Sequence, residues 1–324
     1  MINEVRNSVL AILNKNNYGY VSPSDFNLMA ANAQMEIYES YFTTYNKTTN
    51  AENLRSSGSD YADVKKPLAE VLEGFLMSDF IIPKLTSSFN LTNNFYYPSI
   101  TTVGNSAYMI NRVIAYTNQL ASNFNDTLQA FALIDTTATF ITDGVSVGDI
   151  VLNKTTFKSS TVAVVVSETE LSLNDDIFVD VITDEFYSIY SASNYAEAEK
   201  VSNGNILMLL NSIHTAPSLI YPAYTNIGDL ITLYPATIKG YGAVRTDYFR
   251  HPKVPKWTYQ SLFGGEPVFD QSQLDYQDFE LPAEDAFKLV SKILQYCGII
   301  IREAEVAQFG MTQEQQTVAT FGVQ

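Results

Sequence analysis

At 324 residues the chain is long enough to bury one large core or two to three smaller ones, so its stability requires no covalent staple. Its 35 acidic against 19 basic residues give a formal net charge of -16, which excludes tight wrapping around a phosphate backbone, although a surface that DNA merely passes tolerates it. The single cysteine, Cys297, excludes an internal disulfide framework and a Cys-rich zinc site, and it fits synthesis in a reducing compartment.

Helices are expected first and last, with β structure between. Val5, Val9, Ile12 and Leu13 fall at helical spacing and predict a first helix ending near Asn14. The same segment, interrupted by Glu4, Arg6 and Asn7, lacks the apolar region of a signal peptide. No apolar run approaches the ~18 residues of a membrane span, so no membrane partner is expected. The following NKNNYGYVSPSDF, residues 14 to 26, has the outline of a calcium loop between two helices. Its charge argues otherwise: Asn14, Asn16 and Tyr18 stand where carboxylates are needed, and only Asp25 is anionic. The segment reads instead as a capped helix start. Gly19 supplies a permissive backbone angle, Ser22 the cap, Pro23 the first helical position and Asp25 a negative charge in the first turn. Phe26, Met29, Ala30, Ala33, Ile37 and Tyr41 continue the apolar stripe to about Asn46. A third helix is expected from Asp60 to about Asp79, with Pro67 marking a kink or restart.

From Phe80 onward short runs are broken by Pro, Gly and Asn. Residues 133 to 190 are the clearest β block: TATFIT, DIVLN, STVAVVV, TELSL and DIFVDVIT, separated by turn material such as DGVSVGD and LNDD. Strands about ten residues apart suit a small antiparallel barrel or sandwich. Residues 195 to 218 hold a possible helix containing Ala196, Ala198, Val201 and the run Ile206 to Leu210. DLITLYPATI and GAVRTDYFR, in a β region near 228 to 260, read as paired strands, followed by an extended HPKVPKW. In LPAEDAFKLVSKILQYCG, Pro282 opens a helix and Glu284 and Asp285 sit at its positive end. Ala286, Leu289, Val290, Ile293, Leu294 and Cys297 form its apolar face, and Gly298 ends it. The tail GMTQEQQTVATFGVQ is a frayed helix or an arm that orders against a neighbour. The expected fold class is therefore α+β: a discontinuous helical scaffold from residues 1–132 and 191–324 with residues 133–190 inserted as a β module.

No catalytic, cofactor-binding or metal site stands out. His214 and His251 read as loop or packing residues, and Cys297 as a core thiol. GYGAV lacks the spacing and βαβ setting of a dinucleotide site. The aspartates of DGVSVGD suit tight turns, and the pairs Asp175 with Asp176 and Glu284 with Asp285 read as solvated turn and helix-start charges. A basic cluster of Arg245, Arg250, Lys253 and Lys256 beside Trp257 concentrates positive charge in an acidic chain. It could stack on nucleic acid, but a Pro-spaced arm of this kind, Arg250, Lys253, Pro255, Lys256 and Trp257, fits contact with the acidic surface of a neighbouring subunit better. The 21 Tyr and 19 Phe beside one Trp, with abundant Asn, also suit large subunit interfaces.

NKNNYGYVSPSDFNLMAANAQMEIYESYFTTYNK, VRTDYFRHPKVPKWTY and DFELPAEDAFKLVSKILQYCGIIIREAEVAQ resemble virion structural proteins of tailed bacteriophages, above all the head-to-tail connector ring proteins of crAss-like phages that infect gut Bacteroidales. With SIHTAPSLIYP, these blocks cover roughly a third to a half of the chain. The stretch GVSVGDIVLNKTTFKSSTVAVVVSETELSLNDDIF is similar to small barrel modules of phage tail and connector proteins. The resemblance implies a non-enzymatic subunit, made in the host cytoplasm, that joins the virion in a closed homo-oligomeric ring of about twelve copies. Its implied partners are the portal and adjacent connector or tail ring proteins, with genome DNA passing an acidic lumen without sequence-specific binding. The alternative is a tail appendage whose β block binds a receptor or glycan. Against it, Phe140, Phe157, Phe178 and Phe186 suit a core rather than a sugar platform. A two-carboxylate glycosidase is a third reading.

Overall fold

A computed structural model describes residues 1–15, 21–54, 65–85, 88–90, 107–127, 129–178, 185–227, 230–261, 265, 267–301 and 312. The centre of the calcium-like loop, with Gly19, and the tail beyond Met311 apart from Thr312 lie outside them. The fold is α+β, with N-terminal helices packing on a C-terminal helix and several antiparallel sheets in the chain between them. The chain forms two compact units: residues 1–75 with 251–324, and residues 76–250.

The first unit begins with α1 (Ile2–Lys15) and α2 (Pro23–Leu54). Ser22 caps α2: its Oγ accepts from Asp25 N at 3.1 Å and donates to the Asp25 carboxylate at 2.7 Å, with Pro23 at the first helical position. The expected stripe of Phe26, Met29, Ala30, Ala33, Ile37 and Tyr41 is buried, and Val5, Val9 and Leu13 are buried on α1, whereas Ile12 is partly exposed. α2 runs eight residues past Asn46 because its polar C-terminal half satisfies itself. Thr44, Thr48 and Thr49 hydroxyls donate to carbonyls four residues back, which leaves the ladder intact. The third helix ends before the expected Asp79, and residues 60–64 of its expected span lie outside the described residues. α3 spans Lys65–Glu73, with Pro67 in a first turn whose N–H groups lack intrahelical acceptors anyway, and the chain turns at Gly74.

The second unit holds three sheets. The first orders β1 (Leu76–Phe80), β16 (Val244–Arg250), β4 (Ala107–Tyr116) and β12 (Tyr195–Glu197), all antiparallel. The second orders β13 (Glu199–Lys200), β14 (Ala223–Ile227), β15 (Leu230–Tyr234), β3 (Ser88–Asn90) and β2 (Ile82–Leu85). DLITLYPATI and GAVRTDYFR thus do not pair with each other: β15 pairs with β14 and β3, and β16 with β1 and β4. Residues 195–218 also differ from the helical reading. They contain β12, β13 and only the five-residue α4 (Ile206–Leu210), because Tyr195–Glu197 and Glu199–Lys200 are taken up as edge strands.

The third sheet is the β block. Its order is β5 (Gln119–Ala121), β11 (Glu185–Tyr190), β8 (Ile150–Asn153), β9 (Ser159–Val165), β10 (Glu170–Leu173) and β7 (Ala132–Ile134), with β6 (Phe124–Asn125) also on β11. Asp126 N donates to Ile134 O at 2.7 Å, and Ile134 N to Asn125 Oδ1 at 2.8 Å. These bonds join the β6 end to β7 and close the sheet into a small barrel. Its interior holds Leu133, Val151, Val162, Leu171, Tyr187 and Ile189. DIVLN, STVAVVV and TELSL form strands as expected. TATFIT does not: it is a series of turns in which the Asp135 carboxylate accepts from Thr137 N and Oγ1, yet Phe140 still reaches the interior. Asp176–Phe178 of DIFVDVIT are not in a strand, and the rest of that run lies outside the described residues.

The strand β8 is buried along its whole length. Val151 points into the barrel, while Ile150 and Leu152 join a second core with Val113, Ala115, Leu233 and Val244 from the other two sheets. Both faces of this strand are therefore core faces, which is why barrel and sheets fall into one compact unit. The positive-φ residues Gly144 and Gly148 of DGVSVGD make its tight turns, and Asp149 accepts from Ser146 N.

The chain returns to the first unit through an extended HPKVPKW, then β17 (Tyr259–Ser261), β18 (Pro267–Phe269), a 3-10 turn at Ala283–Asp285 and α5 (Ala286–Ile301). α5 packs on α1 and α2 through Leu289, Val290, Ile293, Leu294 and Cys297. It does not stop at Gly298. A glycine inside a helix costs only about 0.5–1 kcal/mol relative to Ala, too little to end a helix that is already docked.

Candidate interaction surface

The basic cluster divides between the two units, with Arg245 and Arg250 on β16 of the second and Lys253, Lys256 and Trp257 in the first. Trp257 is 2 % exposed. Its indole N–H donates to Asn3 Oδ1 at 3.1 Å, its backbone exchanges two hydrogen bonds with the Asn27 side chain, and the Arg6 guanidinium lies 3.8 Å from its ring centroid. Tyr259 and Phe269 stack near it at 5.6 and 6.0 Å. Trp257 is thus an internal anchor with no free face for a base, and Pro255 is buried too. Gln34 pins the arm from α2: its Nε2 donates to Lys253 O at 2.7 Å and its Oε1 accepts from Glu280 N at 3.1 Å. The Lys253 and Lys256 side chains remain on the surface, and Lys256 pairs with Asp275. On β16, Arg245 lies 3.5 Å from the Asp247 carboxylate, which also faces Arg112.

Two of the other singled-out groups pack against neighbours in the first unit. Cys297 is buried with its Sγ 3.5 Å from Met29 Sδ, and burial pushes its thiol pKa up to about 11. His251 tilts against Tyr38, and burial lowers its pKa despite the opposing pull of Glu39. His214 is exposed. Asp285, expected in solvent, is buried and accepts from the Tyr41 hydroxyl and from Lys288 at 2.7 Å. Among the described residues no group of three or more His, Cys, Asp or Glu is placed to hold a metal ion, and no helix is long and apolar enough to cross a membrane. Of the four β-block phenylalanines, Phe140 and Phe178 are core residues and Phe157 is partly buried. Phe186 instead stands outside, 56 % exposed, edge-on to Phe124 at 6.3 Å.

The most unusual surface lies between β13 and β14. Two backbone bonds clamp its base, Glu199 N to Pro222 O and Val201 N to Tyr224 O, both at 2.9 Å. Only Ile206 anchors α4 inward. Leu207 and Met208 face solvent, and Ile213, Ile220 and Tyr221 are 94, 73 and 79 % exposed. The arm holds its shape through local bonds, including Ser218 N to Tyr221 O at 3.1 Å and Tyr221 N to Ser218 Oγ at 3.2 Å. A signal for it exists in the sequence: the 28 residues from Val201 to Gly228 contain no Asp, Glu, Lys or Arg, in a chain that is 17 % charged overall. Apolar exposure on this scale is what sets the arm apart from the rest of the surface. No protein-family model and no curated protein matches the chain.

Proposed function

We propose that this chain is a non-enzymatic structural subunit of a tailed-phage virion. It forms a ring at the head-to-tail connector or tail hub, around the DNA channel, with the portal and adjacent ring proteins as partners. The exposed, charge-free apolar arm carries this reading: it is a contact surface presented outward, where catalysis would call for converging ionisable groups in a cleft. The net charge of -16 supports it, because an acidic lumen repels phosphate and lets a genome slide. The likeness of the chain's two ends to connector proteins points the same way. The test is the mass of the purified protein together with imaging of particles. Cyclic oligomers in solution, or a ring of this chain below the portal, support the reading. A strictly monomeric chain at virion-like concentration that is also absent from purified particles overturns it.

A second reading draws on the exposed Phe124–Phe186 pair, which presents an aromatic edge on the barrel exterior suited to sugar stacking. Glycan binding by the intact protein, lost in Phe186→Ala, supports a receptor-binding role. Binding that survives the substitution removes the aromatic pair as its basis.

A further inference from the structure

We propose that Asn203 and Gly204 form a site of spontaneous modification, where the side-chain amide of Asn203 is lost as ammonia and a carboxylate takes its place at the foot of the apolar arm. The proposal stands independently of the ring-subunit reading.

Asn203 and Gly204 are the only Asn-Gly pair in the chain. Both are exposed, in the turn between β13 and α4. The turn is closed by bonds from the residues that follow, Asn205 N to Ser202 O at 2.9 Å and Ile206 N to Ser202 O at 3.2 Å, while Gly204 N has no hydrogen-bond acceptor among the described residues. That nitrogen is the nucleophile the reaction needs. It directly follows Asn203, so its attack on Asn203 Cγ closes a small cyclic imide, and no Cβ at position 204 crowds the approach. A bond forms between Gly204 N and Asn203 Cγ, and the bond from Cγ to Nδ2 breaks. The departing amide takes up the proton that Gly204 N releases and leaves as ammonia. Solvent water then opens the imide at either carbonyl, which leaves an aspartate or an isoaspartate at position 203.

The amide that is lost holds a strand end. Val201 N donates to Tyr224 O on β14, and two residues further along each segment Asn203 Nδ2 donates to Asn226 O at 3.3 Å. The side chain thus continues the parallel β13–β14 ladder where the backbone leaves it for the turn. A carboxylate has no hydrogen to give, and its charge faces the carbonyl that the amide had satisfied. It is also the first charge to enter the stretch from Val201 to Gly228. The turn itself does not require glycine: a Cβ at position 204 would meet nothing within 4 Å, and the backbone there lies outside the left-handed region. Gly204→Ala therefore keeps the turn and hinders the attack.

The test uses full-length protein. Wild type, Gly204→Ala and Asn203→Gln are aged in mildly alkaline buffer beside Asn203→Asp as a charge marker, then followed by isoelectric focusing and peptide mapping. The expected result is that folded wild type gains an acidic species that runs with Asn203→Asp, forms faster as pH rises and maps to position 203, and that Gly204→Ala and Asn203→Gln lose it. Asn203 found intact in the aged, folded wild type overturns the proposal, whether no acidic species forms or its change maps elsewhere. Mapping of the wild type decides this even where a variant fails to fold. A second measurement reads the strand end: Asn203→Asp is expected to be cut by chymotrypsin at Leu207, Met208 or Tyr221 faster than wild type. Equal rates overturn the assignment of Asn203 as the tie between the arm and β14.

Discussion

Tyr41, near the middle of α2, donates its phenolic hydroxyl to the buried carboxylate of Asp285, which lies 244 residues further along at the entrance to α5. Burial and then the adjacent carboxylate push the Tyr41 pKa far upward, so the hydroxyl stays a donor at every pH the protein meets. With Lys288 on the other side of Asp285, this bond ties the two ends of the chain at one polar point within an apolar interface.

Tyr41→Phe removes the donor and leaves a buried carboxylate one partner short. The expected loss is about 1.5–3 kcal/mol, the range for a hydrogen bond to a charged group, read as a shift of the urea midpoint at unchanged slope.

Trp257 is the only tryptophan, so its fluorescence reports the first unit alone. Emission is expected to be blue-shifted in the native protein and to move red on unfolding. Trp257→Ala empties a site lined by Arg6, Tyr259 and Phe269 and is expected to cost about 3–5 kcal/mol. Trp257→Phe, which keeps most of the ring but loses the bond to Asn3, is expected to cost clearly less.

Asp135 gives the barrel a defined acid response. Burial by itself would raise its pKa, but bonds from the Tyr187 hydroxyl, Thr137 and Asn123 outweigh burial and hold it below the ordinary 3.8. A carboxyl whose folded pKa is depressed contributes stability that is complete above its unfolded value, about 3.9, and is lost as pH falls through the folded value. Asp135→Asn is therefore expected to destabilise at pH 7, with the difference from wild type shrinking below about pH 4. Urea unfolding across a pH series measures it.

Two glycines separate backbone strain from crowding. At Gly242, with φ +89, an added Cβ would sit 2.2 Å from Leu152 Cδ1 and 2.9 Å from a Tyr190 ring carbon. At Gly144, with φ +80, it would meet nothing within 4 Å. Gly144→Ala is expected to cost about 1–2 kcal/mol for the left-handed backbone alone. Gly242→Ala adds overpacking of about 1–3 kcal/mol where β8 and β11 meet the sheets.

Cys297 should resist thiol reagents in the native protein, since burial both shields it and suppresses the thiolate. Labelling by iodoacetamide is expected to follow unfolding of the helical unit across a denaturant series. Prompt labelling in buffer would contradict the packing of α5 on α2.

Legibility in the sequence followed locality. The stripes of α2 and α5 and the strands DIVLN, STVAVVV and TELSL could be read because their periodicity is local and their faces are buried. TATFIT alternates like a strand, but Asp135 and Glu168 fold it into turns through bonds that no local pattern records. The fate of Trp257 was hidden for the same reason: its partners Asn3, Arg6 and Asn27 are more than 200 residues away. The arm failed to announce itself for a different reason. Apolar residues are normally expected inside, and Ile206 to Leu210 read only as apolar positions of a possible helix, so only the missing charge around them pointed outward.

The first unit draws its halves from stretches on either side of the second, and this fixes an order of events on the ribosome. When α1 and α2 leave the exit tunnel, the helix that covers their apolar stripes has not been translated, whereas residues 76–250 already carry all the partners their barrel and sheets require. The intervening unit can mature while synthesis continues. The early helices must stay soluble, or be sheltered by a chaperone, until α5 has been translated and emerges.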